Sequence, residues 1–110
     1  MKLKLPVVLF NGVVATTNGI YEIEDVDVET AIELIKEKGF VSAIGHEATA
    51  LIMSEILGIN IPMNRIQFKQ EVGQDAIVLK LNVRPEEGKI LTIDEMKLIG
   101  FGLKIMKRLK

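Results

Sequence analysis

The single histidine of this 110-residue chain, His46, lies in the stretch Gly39-Phe40-Val41-Ser42-Ala43-Ile44-Gly45-His46-Glu47-Ala48-Thr49-Ala50. An apolar run over 40–44 stops at Gly45, and a helical pattern begins directly after it. His46 therefore stands at a strand-to-helix turn, where side chains face ligands rather than the core. Histidine changes protonation readily near neutral pH, so proton transfer is the chemistry to test first. Two other patches carry useful groups. Asn64-Arg65 follows a turn and precedes an alternating run, and the polar loop Arg84-Pro85-Glu86-Glu87-Gly88-Lys89 spaces an arginine and a carboxylate three apart. Loop arginines and carboxylates are natural phosphate-handling groups. Each patch also has a plainer reading. A histidine at a helix start commonly hydrogen-bonds to backbone, and a lone arginine is usually a surface charge. On the plainer reading, Arg84 with Glu87 is only a local ion pair worth under ~1 kcal/mol. Glu87 follows His46 by 41 residues, so spacing alone does not bring them together.

The elements that must position these groups can be read from periodicity. The apolar run over 7–10 predicts a buried strand, and the apolar/acidic alternation over 20–24 a half-exposed one. Asn11-Gly12 and Asn18-Gly19 bracket a loop of small residues. Asp27 is placed to cap a helix over 28–38, with Ala31, Leu34 and Ile35 on its apolar face and Gly39 as its stop. A central strand over 40–44 is followed by a second helix over 46–57, which Gly58 ends. Pro62, which has no backbone donor, marks a connector. Ile66, Phe68 and Gln70 share one face of an expected strand, 71–75 turns, and 76–83 returns as another strand. Thr92-Ile93-Asp94-Glu95 has a capping-box pattern that opens a third, short helix. Phe101, Leu103 and Ile105 alternate as a final strand. The expected order is ββαβαββαβ, an α/β single domain over 1–110 with a mixed five- or six-stranded sheet and packed helices.

Composition narrows the function classes. With 48% hydrophobic and 26% charged residues the chain is globular, and its net charge of −1 lacks the basic excess of a duplex DNA binder. A small anion held by a local group of arginines and lysines remains compatible. No cysteine is present, which excludes disulfides and thiolate chemistry and removes the best zinc ligand. The carboxylates fall mostly over 22–37 and read as a solvated face, so no metal and no cofactor are expected. No apolar run approaches the ~18 residues of a membrane span, and the first six residues are too short for a signal peptide. The expected location is the cytoplasm. A chain of this size has no room for a deep cleft, so a small-molecule site forms more easily between two copies.

Taken together, Ser42-Ala43-Ile44-Gly45-His46-Glu47-Ala48-Thr49, then Asn64-Arg65-Ile66, then Arg84-x-x-Glu87-Gly88-Lys89 resemble the viral ring nucleases, over about residues 7–108. The resemblance implies a homodimeric α/β protein that binds cyclic tetra-adenylate, the second messenger of type III CRISPR systems. It implies metal-independent cleavage to linear di-adenylates with 2′,3′-cyclic phosphate ends, an anti-CRISPR activity that silences the signal. Carried over by position, His46 matches the general acid, and Arg84 and Glu87 its basic and acidic partners. Arg65 matches a ligand-contacting arginine. Asn11, Val14, Gly45, Asn64 and Lys89 fall at the remaining ligand-binding positions. Two departures stand out. Val14 occupies the place of a first-loop serine, so only its backbone contributes there, with Thr16 or Thr17 nearby as substitutes. Pro85 replaces an apolar residue and stiffens the loop without moving Arg84 or Glu87 in register.

The residues can support that chemistry. RNA carries its own nucleophile, the 2′-hydroxyl beside each phosphate. In-line attack then needs a held ribose, a cation on the phosphoryl oxygens and an acid for the departing 5′-oxygen. A helix N-terminus disfavours an imidazolium while bound phosphates favour it, and the acid role needs the second effect to prevail in the complex. Three other readings stay open: a non-catalytic cyclic-nucleotide sponge or sensor, a regulatory or interaction protein of a mobile element, and a structural dimeric module.

Overall fold

In the computed structural model the structure describes residues 5–10, 17–81, 94, 95, 98 and 100–110. Strand β1 (Val7–Phe10) is buried at all four positions. It lies between two parallel neighbours, β3 (Phe40–Ser42) and β4 (Asp75–Leu81), with Leu9 paired to both Ser42 and Ile77. Strand β5 (Phe101–Arg108) runs antiparallel to β4 and carries β2 (Tyr21–Val26) antiparallel on its other side. The mixed five-stranded sheet has the order β2-β5-β4-β1-β3.

Local signals explain the two helices. Asp27 caps α1 (Val28–Lys38) by accepting from the Thr30 amide at 2.7 Å. Glu29 in the first turn and Lys36 and Lys38 in the last complement the helix dipole. Helix α2 covers Glu47–Leu57. Gly39 and Gly58, both at positive φ, end the two helices and donate to Ile35 and Ser54 carbonyls. Lys38 Nζ reaches buried Asp75 at 2.9 Å and ties the end of α1 to the start of β4.

Both helices pack on one face of the sheet. Ala31 and Ile35 of α1 and Ala50, Ile52, Met53 and Leu57 of α2 close over Val7, Leu9, Ile77 and Leu79. On the other face Val8, Phe10, Ala76, Val78 and Met106 form a second cluster, joined by Tyr21 and Phe68. The Phe10 and Phe68 rings meet edge to face, centroids 6.3 Å apart.

Two expectations are corrected. The run over 40–44 is not a central strand: it is three residues long and forms the sheet edge, and β4 holds the middle. A short apolar run fits equally well at an edge that a helix covers, and periodicity does not distinguish the two. Residues 66–70 do not form a strand. The Ile66 amide turns back to Asn64 O at 3.0 Å instead of pairing across. Gln70 is buried for a different purpose, donating to Gln74 O at 2.6 Å and Met106 O at 2.8 Å. The expected turn over 71–75 forms, closed by the Gln74 amide on Glu71 O at 3.0 Å. Asp94, Glu95 and Leu98 are helical. The opening of that helix at Thr92 and the polar loop 84–89 lie outside the described residues.

The Asp27 cap has an acid signature. Its bonds to Thr30 hold the carboxyl below the usual carboxylate value. A folded-state value beneath the unfolded one means that the stabilisation is complete above the ordinary carboxylate range and is lost as pH falls through the folded value. Asp27→Ala should therefore melt below wild type near neutral pH, and the gap should close at about pH 2. Thermal melts followed by circular dichroism at both pH values check this; an unchanging gap rejects it.

Candidate functional site

The site begins at the carboxyl end of β3. Ser42 is buried, 5% exposed, and its hydroxyl donates to Pro62 O at 2.7 Å. The Ser42 carbonyl accepts Asn64 Nδ2 at 2.8 Å, and Ile44 O accepts the Asn64 amide at 2.8 Å. These bonds lay residues 62–64 alongside 42–44. Pro62 brings a carbonyl but no amide, so the pairing stops short of a strand.

That tie carries Arg65 onto the histidine turn. Arg65 Nη2 donates to Gly45 O at 3.1 Å. A β-carbon at Gly45 would stand 3.5 Å from Arg65 Nε and 3.6 Å from its Cγ, so the arginine side chain lies directly over Gly45. His46, the next residue, is the N-cap of α2 with extended backbone angles and makes no side-chain cap bond. Its carbonyl accepts the Ala50 amide at 3.0 Å and its side chain is exposed. The plainer reading of His46, a ring engaged with helix backbone, is therefore not what the structure shows. An exposed imidazole, an exposed guanidinium and the positive end of an 11-residue helix share one corner, a setting that draws anions.

Strands β1, β3 and β4 are parallel, so the chain leaves all three at one edge. It leaves β1 after Phe10, β3 into Gly45-His46, and β4 after Leu81. In open α/β sheets ligands bind outside the carboxyl ends of the strands. Asn11, Val14, Arg84, Glu87 and Lys89 themselves lie outside the described residues. So does Thr16. The Thr17 hydroxyl is bonded to the Tyr21 hydroxyl, and Tyr21 Oη also donates to Thr17 O at 3.2 Å.

Ser42 is the residue that sequence reading passed over. Its signal was a hydroxyl inside an apolar run, where a buried polar group needs a partner. Ser42→Ala leaves the Pro62 carbonyl without that donor and should lower stability by about 1–3 kcal/mol. Urea unfolding measures it, and an unchanged midpoint would show that the tie to 62–64 contributes nothing.

Among the described residues no three His, Asp or Glu side chains gather as a metal site. Among them, too, no helix is long and apolar enough to cross a membrane.

Residues 7–103 match the STIV B116-like family. The chain belongs to that family. This B116-like chain is 41% identical over 93 residues to the Uncharacterized protein ORF117 of Acidianus two-tailed virus, covering 82% of this chain and 80% of that one. It is 40% identical over 81 residues to the Uncharacterized protein 26 of Sulfolobus islandicus filamentous virus, covering 73% and 69%. Its fold is similar to that of B116 of Sulfolobus turreted icosahedral virus, with a TM-score of 0.68 at 25% identity over 94% of this chain and 99% of the other. The B116-like relatives named here are viral proteins.

Proposed function

We propose that this B116-like protein is a metal-independent ring nuclease that cleaves cyclic tetra-adenylate to linear di-adenylates ending in 2′,3′-cyclic phosphates. In a host cell's cytoplasm that activity disarms type III CRISPR signalling. The observation that carries the reading is the corner at Gly45, where Arg65 lies against the turn that presents an uncommitted His46. The viral relatives fit an invader's need to erase a defence signal.

In the proposed step the 2′-oxygen bonds to the adjacent phosphorus and the bond from phosphorus to the 5′-oxygen breaks. His46 gives its proton to that 5′-oxygen. Arg84 stabilises the charge on the phosphoryl oxygens. Glu87 orients the 2′-hydroxyl or His46, or accepts the proton that the attacking 2′-hydroxyl gives up. Arg65, Asn11, Gly45, Asn64 and Lys89, with the backbone at Val14, hold the ring. General acid catalysis supplies roughly 10²–10⁴-fold, and holding the 2′-oxygen in line contributes comparably. A twofold dimer presents two copies of His46 to a ring of four repeats, so cuts at opposite linkages give identical halves.

The test is incubation with cyclic tetra-adenylate in the presence of EDTA. Di-adenylates with cyclic phosphate ends support the proposal. Binding without cleavage makes the protein a sponge or sensor, and absence of binding removes this substrate altogether. Light scattering with and without ligand measures the dimer.

A further inference from the structure

The first turn of α2 has donors that nothing nearby satisfies. His46 makes no side-chain cap bond, and helical bonding starts with the Ala50 amide on His46 O at 3.0 Å. The amides of Glu47, Ala48 and Thr49 therefore have no acceptor among the described residues. Helix α1 shows the alternative, because there the Asp27 carboxylate accepts the Thr30 amide at 2.7 Å. Glu47 is the acidic residue in the first turn of α2, and its side chain is exposed.

Thr49 is a second, independent sign. It is buried, 5% exposed, yet its hydroxyl has no hydrogen-bond partner among the described residues, and its oxygen is not sealed from solvent. A threonine inside a helix can give its hydroxyl to the carbonyl four residues back. Ser54 does so on Ala50 O at 2.8 Å. For Thr49 that carbonyl belongs to Gly45, and Arg65 Nη2 holds it at 3.1 Å instead. A buried hydroxyl left unbonded costs stability that valine, of the same shape, would not. Helix side chains tilt towards the N-terminus, so the Thr49 hydroxyl is carried towards the free amides of its own turn and towards His46. One helical turn rises only ~5.4 Å, so a single phosphate at this turn meets the amides and the hydroxyl together.

We propose that the first turn of α2 is a phosphate seat, with the Thr49 hydroxyl and the amides of Glu47, Ala48 and Thr49 as its donors. The positive end of the helix favours the anion, and the phosphate oxygens supply the acceptors that the turn lacks. The seat stands on the turn alone. That it takes the phosphate whose 5′-oxygen His46 protonates rests on the proposed function.

Thr49→Val and Thr49→Ser test it. Thr49→Val should melt at or above the wild-type temperature, since it removes an unbonded buried hydroxyl; a clearly lower melt would show that the hydroxyl is bonded within the fold and overturn its part in the seat. Inorganic phosphate, titrated into labelled protein and followed by amide NMR, should shift Glu47, Ala48 and Thr49 saturably. The affinity should fall at least about tenfold in Thr49→Val and return in Thr49→Ser. No saturable shift at 47–49 overturns the seat, and a Thr49→Val affinity within about twofold of wild type removes Thr49 from it. Single-turnover cleavage of cyclic tetra-adenylate should slow at least about tenfold in Thr49→Val. Unchanged cleavage by a variant that has lost phosphate binding would overturn the assignment to the substrate's phosphate. Phosphate binding at 47–49 in a protein that ignores cyclic tetra-adenylate would uphold the seat and reject the ring nuclease.

Discussion

His46→Ala is expected to slow cleavage of cyclic tetra-adenylate at least ~100-fold while leaving the fold and ligand binding close to wild type. The split follows from what the side chain does and does not touch. The ring is exposed and makes no cap bond to α2. Its loss costs the helix little, in the range of ordinary surface substitutions, within about 0.5 kcal/mol. The backbone bond from Ala50 to His46 O survives the change. Arg65 stays on Gly45 and Asn64 on Ser42, so the corner that would hold the ligand persists. In the proposed step, only the proton for the departing 5′-oxygen is removed. Single-turnover cleavage with saturating protein, beside equilibrium binding, separates the two effects. Equal cleavage by both proteins would strip His46 of the acid role. Parallel loss of binding and cleavage would make it a ligand contact instead.

Ile77→Ala should cost about 2–5 kcal/mol, a large fraction of the stability of a small domain. Ile77 is fully buried in β4, the middle strand, paired with Leu9 on one side and Ile105 on the other. It belongs to the cluster that both helices close over, so three elements and a helix layer border the cavity left behind. Native domains carry only about 5–15 kcal/mol in total. The midpoint of urea unfolding should fall sharply at nearly unchanged m, and Ile77→Val should cost only about 0.5–1.5 kcal/mol. A loss under about 1 kcal/mol for the alanine variant would mean that this site collapses freely and is not a packed centre.

These two residues illustrate different degrees of legibility. His46 was visible as a candidate because its surroundings are local: an apolar run, a glycine, a helical pattern. Whether its side chain was free for chemistry depended on a capping bond that no spacing reveals. Ile77 could be assigned to a strand from its apolar neighbours, but its place at the middle of the sheet could not. Arg65 looked like a surface charge until Ser42 and Asn64 tied it to Gly45.

By itself the sequence determined what short-range physics controls. The Asp27 cap, the glycine stops after both helices, the span of α1, the buried run of β1 and the candidacy of His46 all follow from residues within a few positions of one another. The tertiary structure decided the strand order β2-β5-β4-β1-β3, the edge position of 40–42, and the use of 66–70 as a buttress rather than a strand. It also decided the meeting of Arg65 with the histidine turn. Those outcomes depend on which backbone donors and apolar faces find partners far away in the chain, and many pairings satisfy the same local pattern.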